Sequence, residues 1–175
     1  ETAADFEAQY EAWRADKKEQ DREIDSLDSL TPYFQASIST FLSGTEGENQ
    51  AYSPLNVYMA LAMLAELTDG ESRAQILTLL GSDSLEALRS QANALWNDHY
   101  SSDGATTSVL ASSLWLDEGV PFDQNTLDTL AENYYASSFQ GDLGTEEMNQ
   151  ALQDWLNSQT GGLLQDQIGQ LTLDP

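Results

Sequence analysis

The stretch from Leu55 to Ala65 carries no charged residue, and its apolar side chains surround a helix rather than line one face of it. A helix that is apolar on every side belongs in the interior of a larger protein. The stretch is too short to cross a bilayer, which takes roughly 20 apolar residues. Ser53 is a favourable N-cap and Pro54 a favourable first helical residue, so the sequence predicts a buried helix over residues 54–68.

Helical and extended patterns alternate along the rest of the chain, which predicts an α+β fold that is mostly helical. Ser72 and Gln75 have the spacing of a capping box that would start a second short helix. Apolar residues at helical spacing predict the remaining helices, over residues 30–42, 84–99, 123–135 and 145–159. Strands are predicted over 106–116, with both faces apolar or small and therefore covered on both sides, and over 137–143.

The first 26 residues differ from the rest of the chain. Four of the six basic residues lie between Asp5 and Asp25, mixed with many acidic ones. This composition predicts a polar N-terminal extension or tether over residues 1–26, followed by a packed domain over residues 27–175. Three aromatic residues of the extension have helical spacing and could dock on another surface: Phe6, Tyr10 and Trp13.

The charge balance excludes several classes of partner. The chain has 30 acidic and 6 basic residues, a formal net charge of −24. Such a surface cannot neutralise the phosphates of nucleic acid, and it disfavours an anionic membrane surface. The simplest interpretation is a solvated, self-repelling surface that keeps the protein soluble.

No enzymatic or cofactor chemistry is indicated by the residues. The absence of cysteine excludes disulfides, thiol nucleophiles and thiolate metal sites. A single histidine, His99, indicates neither a catalytic triad nor a zinc site. The sequence therefore predicts no catalytic residue, no metal and no cofactor. The four tryptophans are interpreted as core or interface anchors: Trp13, Trp96, Trp115 and Trp155.

Three blocks of sequence resemble the serpin family in order and spacing. The first, NQAYSPLNVYMALAMLAELTDGESRAQILTLLG, begins at Asn49 and has a short extended piece, Ser-Pro, a buried helix and a second helix ending in Leu-Gly. The second block, LASSLWLDEGVPFDQ, resembles the serpin segment in which a strand is followed by a proline. The third is TEEMNQALQDWLNSQTGGLLQDQIGQLTLDP, which is similar to the helix that crosses the main serpin sheet and to its exit loop, with Trp155, Thr160 and Gly162 at pattern positions.

The resemblance implies a site and a function. Residues 107–117 and 137–143 would be strands of the large central sheet, with helix 145–159 across it. Ser53, Pro54 and Asn56 would form the shutter, where strands part to admit the cleaved reactive loop. The implied function is that of the N-terminal scaffold of a suicide inhibitor of serine or cysteine proteases. The alternative is a non-inhibitory serpin-fold binding or structural protein.

The resemblance also implies what lies outside the chain. The remaining strands, the other sheets and the reactive loop are expected in a C-terminal half, without which the strands and helix 54–68 expose apolar faces. The expected partners are this second half and a target protease. Heparin is not expected, because helix 84–99 contains only one basic residue, Arg89. The acidic surface and polar extension predict a secreted or surface-tethered protein.

Overall fold

The structure is a computed structural model that describes residues 11–12, 14–15, 30–44, 47, 49–102, 105–164 and 167–174. Nearly all of the predicted extension over residues 1–26, including Phe6, Tyr10 and Trp13, lies outside the described residues. The chain divides into two compact units, Glu1–Leu110 and Ala111–Pro175. Helices predominate and strands are few, which confirms the α+β prediction.

From residue 30 onward, the described residues of the first unit form four helices followed by a small hairpin. The helices are α1 (Thr31–Ser43), α2 (Pro54–Leu67), α3 (Gly70–Leu80) and α4 (Leu85–His99). The antiparallel hairpin pairs β1 (Ser101–Ser102) with β2 (Thr107–Ser108).

Helix α2 supplies much of the core of this unit, as the sequence predicts. Its buried side chains follow one face of the helix: Tyr58, Met59, Ala62, Met63, Ala65 and Glu66. The other faces stay open, since Val57, Leu64 and Leu67 are 37%, 43% and 42% exposed. The prediction that this helix exposes apolar side chains in the chain as given is therefore confirmed.

The apolar face of α1 is only partly the predicted one, which is the helical stripe of Leu30, Phe34, Ile38, Phe41 and Leu42. Leu30 is buried as predicted, but Ile38 and Leu42 are 41% and 60% exposed, and Tyr33, which is not in the stripe, is buried. Tyr33 faces inward because its ring packs edge-on against Tyr58 and its hydroxyl donates to the Pro54 carbonyl, 3.3 Å away. An amphipathic residue with an available acceptor thus sets the inward face of the helix.

The predicted capping box at the start of α3 is wrong. The helix begins at Gly70, so Ser72 lies in its first turn, and the N-cap Asp69 makes no side-chain cap bond. Gly70 has φ +56°, in the left-handed region that glycine adopts readily. This conformation lets the chain pass from α2 into α3 within two residues. The end of α3 is as predicted, with Gly81 left-handed and the Ser82 amide donating to the Leu77 carbonyl at 2.9 Å.

The second unit is a parallel strand pair with helices. Its elements are β3 (Ser113–Asp117), α5 (Gln124–Tyr134), β4 (Ser137–Gly141), α6 (Glu146–Gln159) and a 3-10 turn (Ile168–Gln170). β3 and β4 are parallel, and α5 is the crossover that such a pair requires. Trp115 lies opposite Phe139 in the register, with stacked rings 4.1 Å apart.

The single strand predicted over 106–116 is wrong. That segment contains β2 and most of β3, in two different sheets, with no strand over residues 109–112. The Leu110 carbonyl accepts a hydrogen bond from the Trp96 indole at 2.9 Å, so this acceptor is bonded to a side chain instead of a neighbouring strand. All five residues of β3 are half-buried rather than fully covered. β4 ends at Gly141, two residues before the predicted end.

Candidate functional site

The segment Ser53–Asn56, here called the corner, forms the start of α2. The Ser53 hydroxyl accepts a hydrogen bond from the Asn56 amide at 3.4 Å, and the backbone carbonyl of Ser53 accepts one from the Val57 amide at 3.3 Å. The predicted N-cap is confirmed, with Pro54 in the first turn. The side chains of Ser53 and Asn56 are exposed. Their polar groups are therefore accessible for additional hydrogen bonds.

Three tyrosines that the sequence analysis did not single out for the site surround the corner. Tyr33 reaches the Pro54 carbonyl from α1. Tyr52, directly before the N-cap, stacks on Phe41 with ring centroids 4.8 Å apart. Tyr58 is fully buried, and its hydroxyl donates to Gln91 Oε1 of α4 at 2.6 Å. The signal in the sequence is a tyrosine within the uncharged, largely apolar stretch Leu55–Ala65, where a buried hydroxyl needs a partner.

Burial also changes the acidity of these hydroxyls. Loss of solvent raises the pKa of Tyr58 well above that of a free tyrosine, and the neighbouring Tyr33 adds to the increase. The pKa of Tyr33 is raised as well, chiefly by burial. Both residues are therefore neutral hydrogen-bond donors at physiological pH.

An ion pair joins α2 to α4 farther along the helix. Arg89 donates through Nε and one terminal nitrogen to the two carboxylate oxygens of Glu66, each at 2.8 Å. The Glu66 side chain is only 3% exposed. Arg89, the one basic residue of helix α4, thus satisfies a buried carboxylate.

Helix α6, predicted as the crossing helix, is confirmed as an element and capped by Thr145, whose hydroxyl accepts from the Met148 amide at 3.4 Å. Met148 packs so closely on β4 that a Cβ atom at Gly141 would lie 3.1 Å from Met148 Cγ. On the same helix, Asn149 Oδ1 accepts from the Leu173 amide at 2.8 Å. These contacts fix α6 against β4 and hold the segment that follows it.

The three predicted residues of the crossing helix lie in its second half and its C-terminal turn. Trp155 is half-buried, and its indole nitrogen is buried without a hydrogen-bond partner among the described residues. Thr160 caps the helix by donating from Oγ1 to the Leu156 carbonyl at 2.8 Å. Gly162 has φ +81°, and its amide donates to the Asn157 carbonyl at 2.9 Å, which ends the helix in a left-handed turn.

The described tryptophans and His99 make contacts that are typical of structural residues. Trp96 stacks on Tyr100 and Trp115 on Phe139, as expected of anchors, while Trp13 lies outside the described residues. His99 Nδ1 lies 2.9 Å from the Leu95 carbonyl one turn back and 3.6 Å from the Asp98 carboxylate. Its side chain is 40% exposed, which is typical of a surface histidine.

The described residues contain neither a metal-ligand cluster nor a membrane-spanning helix. Within those residues no group of three or more His, Cys, Asp or Glu is arranged to hold a metal ion. None of the helices there combines the length and apolar character needed to cross a membrane.

Comparison with known proteins gives one consistent result. The family model "Serpin (serine protease inhibitor)" matches residues 34–175. Serpin-ZX of Arabidopsis thaliana is 25% identical over 136 residues, 74% of this chain and 34% of that protein. The Arabidopsis protein named probable non-inhibitory serpin-Z5 is 28% identical over 149 residues, 75% of this chain and 34% of that protein.

The same likeness is present in three dimensions. The native stressed conformation of Arabidopsis AtSerpin1 has a TM-score of 0.67 and 21% identity, covering 78% of this chain and 37% of that one. At this identity the match shows the fold. The chain spans about a third of the length of the curated relatives it matches.

Proposed function

The chain belongs to the serpin family, and from that premise we propose that it is the N-terminal scaffold of a suicide inhibitor of serine or cysteine proteases. In this proposal a protease cleaves the reactive loop, which lies outside residues 1–175, and the loop inserts into the main sheet. The observation that carries the proposal is the family match over residues 34–175, which includes the corner, β3, β4 and α6.

The chemistry of the corner supports a shutter role for Ser53, Pro54 and Asn56. A region that opens needs short polar groups whose hydrogen bonds can be exchanged, because a buried polar group left unpaired costs about 1–3 kcal/mol. The Ser53 cap bond is long, at 3.4 Å, and the side chains of Ser53 and Asn56 are short and polar. Such groups can take new partners without first losing a strong bond.

The contacts of α6 support a role for Trp155, Thr160 and Gly162 in holding the crossing helix. Thr160 and Gly162 end the helix at a defined residue. The close contact of Met148 with Gly141 keeps its other end on β4. A helix that ends at a defined residue and packs closely on β4 at its start would be displaced together with that strand when strands of the sheet separate.

The second candidate is a non-inhibitory serpin-fold binding or structural protein. It is favoured by the likeness to the relative named probable non-inhibitory serpin-Z5. The two functions share the scaffold described above and differ in the reactive loop.

A protease challenge of the complete protein distinguishes the two functions. The protein is incubated with trypsin, chymotrypsin, elastase and papain, and the products are separated on SDS gels. An inhibitor forms an SDS-stable complex with at least one of them, whereas a protease whose active-site serine is replaced by alanine gives none. Cleavage with full turnover in every case supports the non-inhibitory function.

The proposed partners are the target protease and the C-terminal half of the same protein. Nucleic acid and heparin are excluded from the proposal because of the net charge of −24 and the single arginine of α4. Retention on heparin-agarose at physiological salt would contradict this part of the proposal. The secreted or surface-tethered location and the tether over residues 1–26 stay predictions from composition.

A further inference from the structure

Side-chain hydrogen bonds connect the start of α2 to two neighbouring helices, α1 and α4. We propose that a tyrosine cluster, defined as Tyr33, Tyr52 and Tyr58 with Ser37 and Gln91, is the device that positions the first turn of α2. This inference deepens the proposed function, since the first turn of α2 is the predicted shutter.

The cluster contacts the corner on both sides of the N-cap. On the preceding side, Tyr52 is anchored to α1, where its ring stacks on Phe41 and its hydroxyl is hydrogen-bonded to Ser37. On the following side, Tyr33 donates to the Pro54 carbonyl. In an α-helix that carbonyl also pairs with the amide four residues on, so Tyr33 acts on the second helical hydrogen bond, one residue after the bond from the Val57 amide to the Ser53 carbonyl.

The third tyrosine links this turn to α4. Tyr58 lies one helical turn after Pro54 and is fully buried, and its ring meets Tyr33 edge-on at 5.3 Å. Its hydroxyl donates to Gln91 at 2.6 Å. The first turn of α2 is thus connected to α1 through Tyr33 and Tyr52 and to α4 through Tyr58.

Apolar packing alone does not require this arrangement. A phenylalanine would fill the positions of Tyr33 and Tyr58 with nearly the same ring, yet each buried hydroxyl has a polar partner. Because a buried hydroxyl is tolerated only when it is bonded, the cluster fixes one orientation of the helix start rather than any packed one. The three tyrosines are positioning residues, acting through the backbone of the corner.

The test uses Tyr33→Phe and Tyr58→Phe in the complete protein, with Tyr100→Phe as the control, since Tyr100 is 45% exposed and its ring stacks on Trp96. Hydrogen exchange is measured at the amides of Asn56, Val57 and Tyr58. Loss of one hydrogen bond predicts exchange about fivefold faster at these amides. The amides of α4 around Leu95 should be unchanged, and Tyr100→Phe should match wild type.

A double variant separates positioning from stability. In Tyr58→Phe/Gln91→Met both polar partners are replaced by apolar groups of similar shape, a change that can be nearly neutral for stability. Faster exchange confined to the corner in this stable variant supports the proposal, and so does a higher stoichiometry of inhibition. Exchange equal to wild type, or raised uniformly along all helices, overturns it.

The proposed function and this inference fail in different ways. If the wild-type protein forms no SDS-stable complex with any protease, the inhibitory function is wrong, and the exchange data alone decide whether the cluster positions the corner. If the wild type inhibits but the phenylalanine variants exchange normally at residues 56–58, the function stands and the positioning role is wrong.

Discussion

Replacing Arg89 by alanine is predicted to be among the most destabilising single changes to a charged residue of the first unit. Arg89 makes two hydrogen bonds of 2.8 Å to the Glu66 carboxylate, and that carboxylate is 3% exposed. Removing one partner of a buried pair costs about 3–5 kcal/mol, because the other charge stays buried without compensation. Arg89 is itself 32% exposed, so water can enter the vacated space, and we expect a loss of about 3 kcal/mol.

The assay is equilibrium urea unfolding followed by tryptophan fluorescence, with the free energy of unfolding compared among four variants. Arg73→Ala is the matched control: it removes the same charge, but Arg73 Nε donates to the neutral carbonyl of Ala65 at 3.1 Å. That variant should lose about 1 kcal/mol. Arg89→Lys keeps the charge but cannot reproduce the two-pronged contact, so it should lie between the two alanine variants.

The double variant Glu66→Leu/Arg89→Met removes both charges of the pair. Replacing both charges by apolar groups is often neutral, so the double variant should recover most of the stability lost in Arg89→Ala. The reasoning is refuted if Arg89→Ala costs no more than Arg73→Ala, or if the double variant is no more stable than Arg89→Ala alone.

Three further predictions concern packing, capping and pH. Gly141→Ala should destabilise the protein by about 1–3 kcal/mol, because the new methyl group overpacks against Met148. Thermal unfolding measures the loss of stability. In a variant that also carries Met148→Ala, the added methyl group at residue 141 should have almost no effect. Ser53→Ala should lower the free energy of unfolding by about 1 kcal/mol through loss of the N-cap, and Ser84→Ala at the start of α4 should have a similar effect. Ser53→Asp should retain most of the stability. If urea unfolding shows no loss for Ser53→Ala, the capping role of Ser53 is wrong. Burial raises the pKa of Tyr58 in the folded state, so the unfolded chain loses the tyrosine proton first as the pH rises. The contribution of Tyr58 to the free energy of unfolding is therefore fully present below pH about 10 and decreases above it. Unfolding measured at pH 8 to 11 should show this decrease, and Tyr58→Phe should show a smaller one.

Much of the helical framework could be predicted because its signals are local. The start of α2 follows from Ser53 and Pro54, and the end of α3 from Gly81, since caps depend on one or two residues. The uncharged stretch Leu55–Ala65 predicted correctly that α2 supplies core, and the resemblance implied correctly that apolar side chains of this helix are uncovered in this chain.

The errors occur where a distant side chain decides the outcome. The inward face of α1 depends on Tyr33 reaching the Pro54 carbonyl, 21 residues away. The break between β2 and β3 coincides with a bond from Trp96 to the Leu110 carbonyl. Neither contact leaves a periodic pattern in the sequence, and so the helix face and the strand division were not predictable from spacing alone.

The candidate site was predicted only in part for the same reason. Ser53, Pro54 and Asn56 were identified through the resemblance, and their local geometry agrees with the N-cap prediction. The tyrosine cluster behind them was missed, because its members are contributed by α1, α2, α4 and the segment before the corner. Its only sequence signal is a tyrosine placed among apolar residues of α2.

The most direct test of the serpin account is the melting temperature of the complete protein before and after cleavage of its reactive loop. A protease that cuts only in this loop is used, and both forms are heated under the same conditions. The account predicts that the cleaved protein melts at a clearly higher temperature, because the inserted loop adds a strand to the main sheet. A cleaved protein that melts at the same or a lower temperature than the intact one would contradict loop insertion and leave the non-inhibitory function.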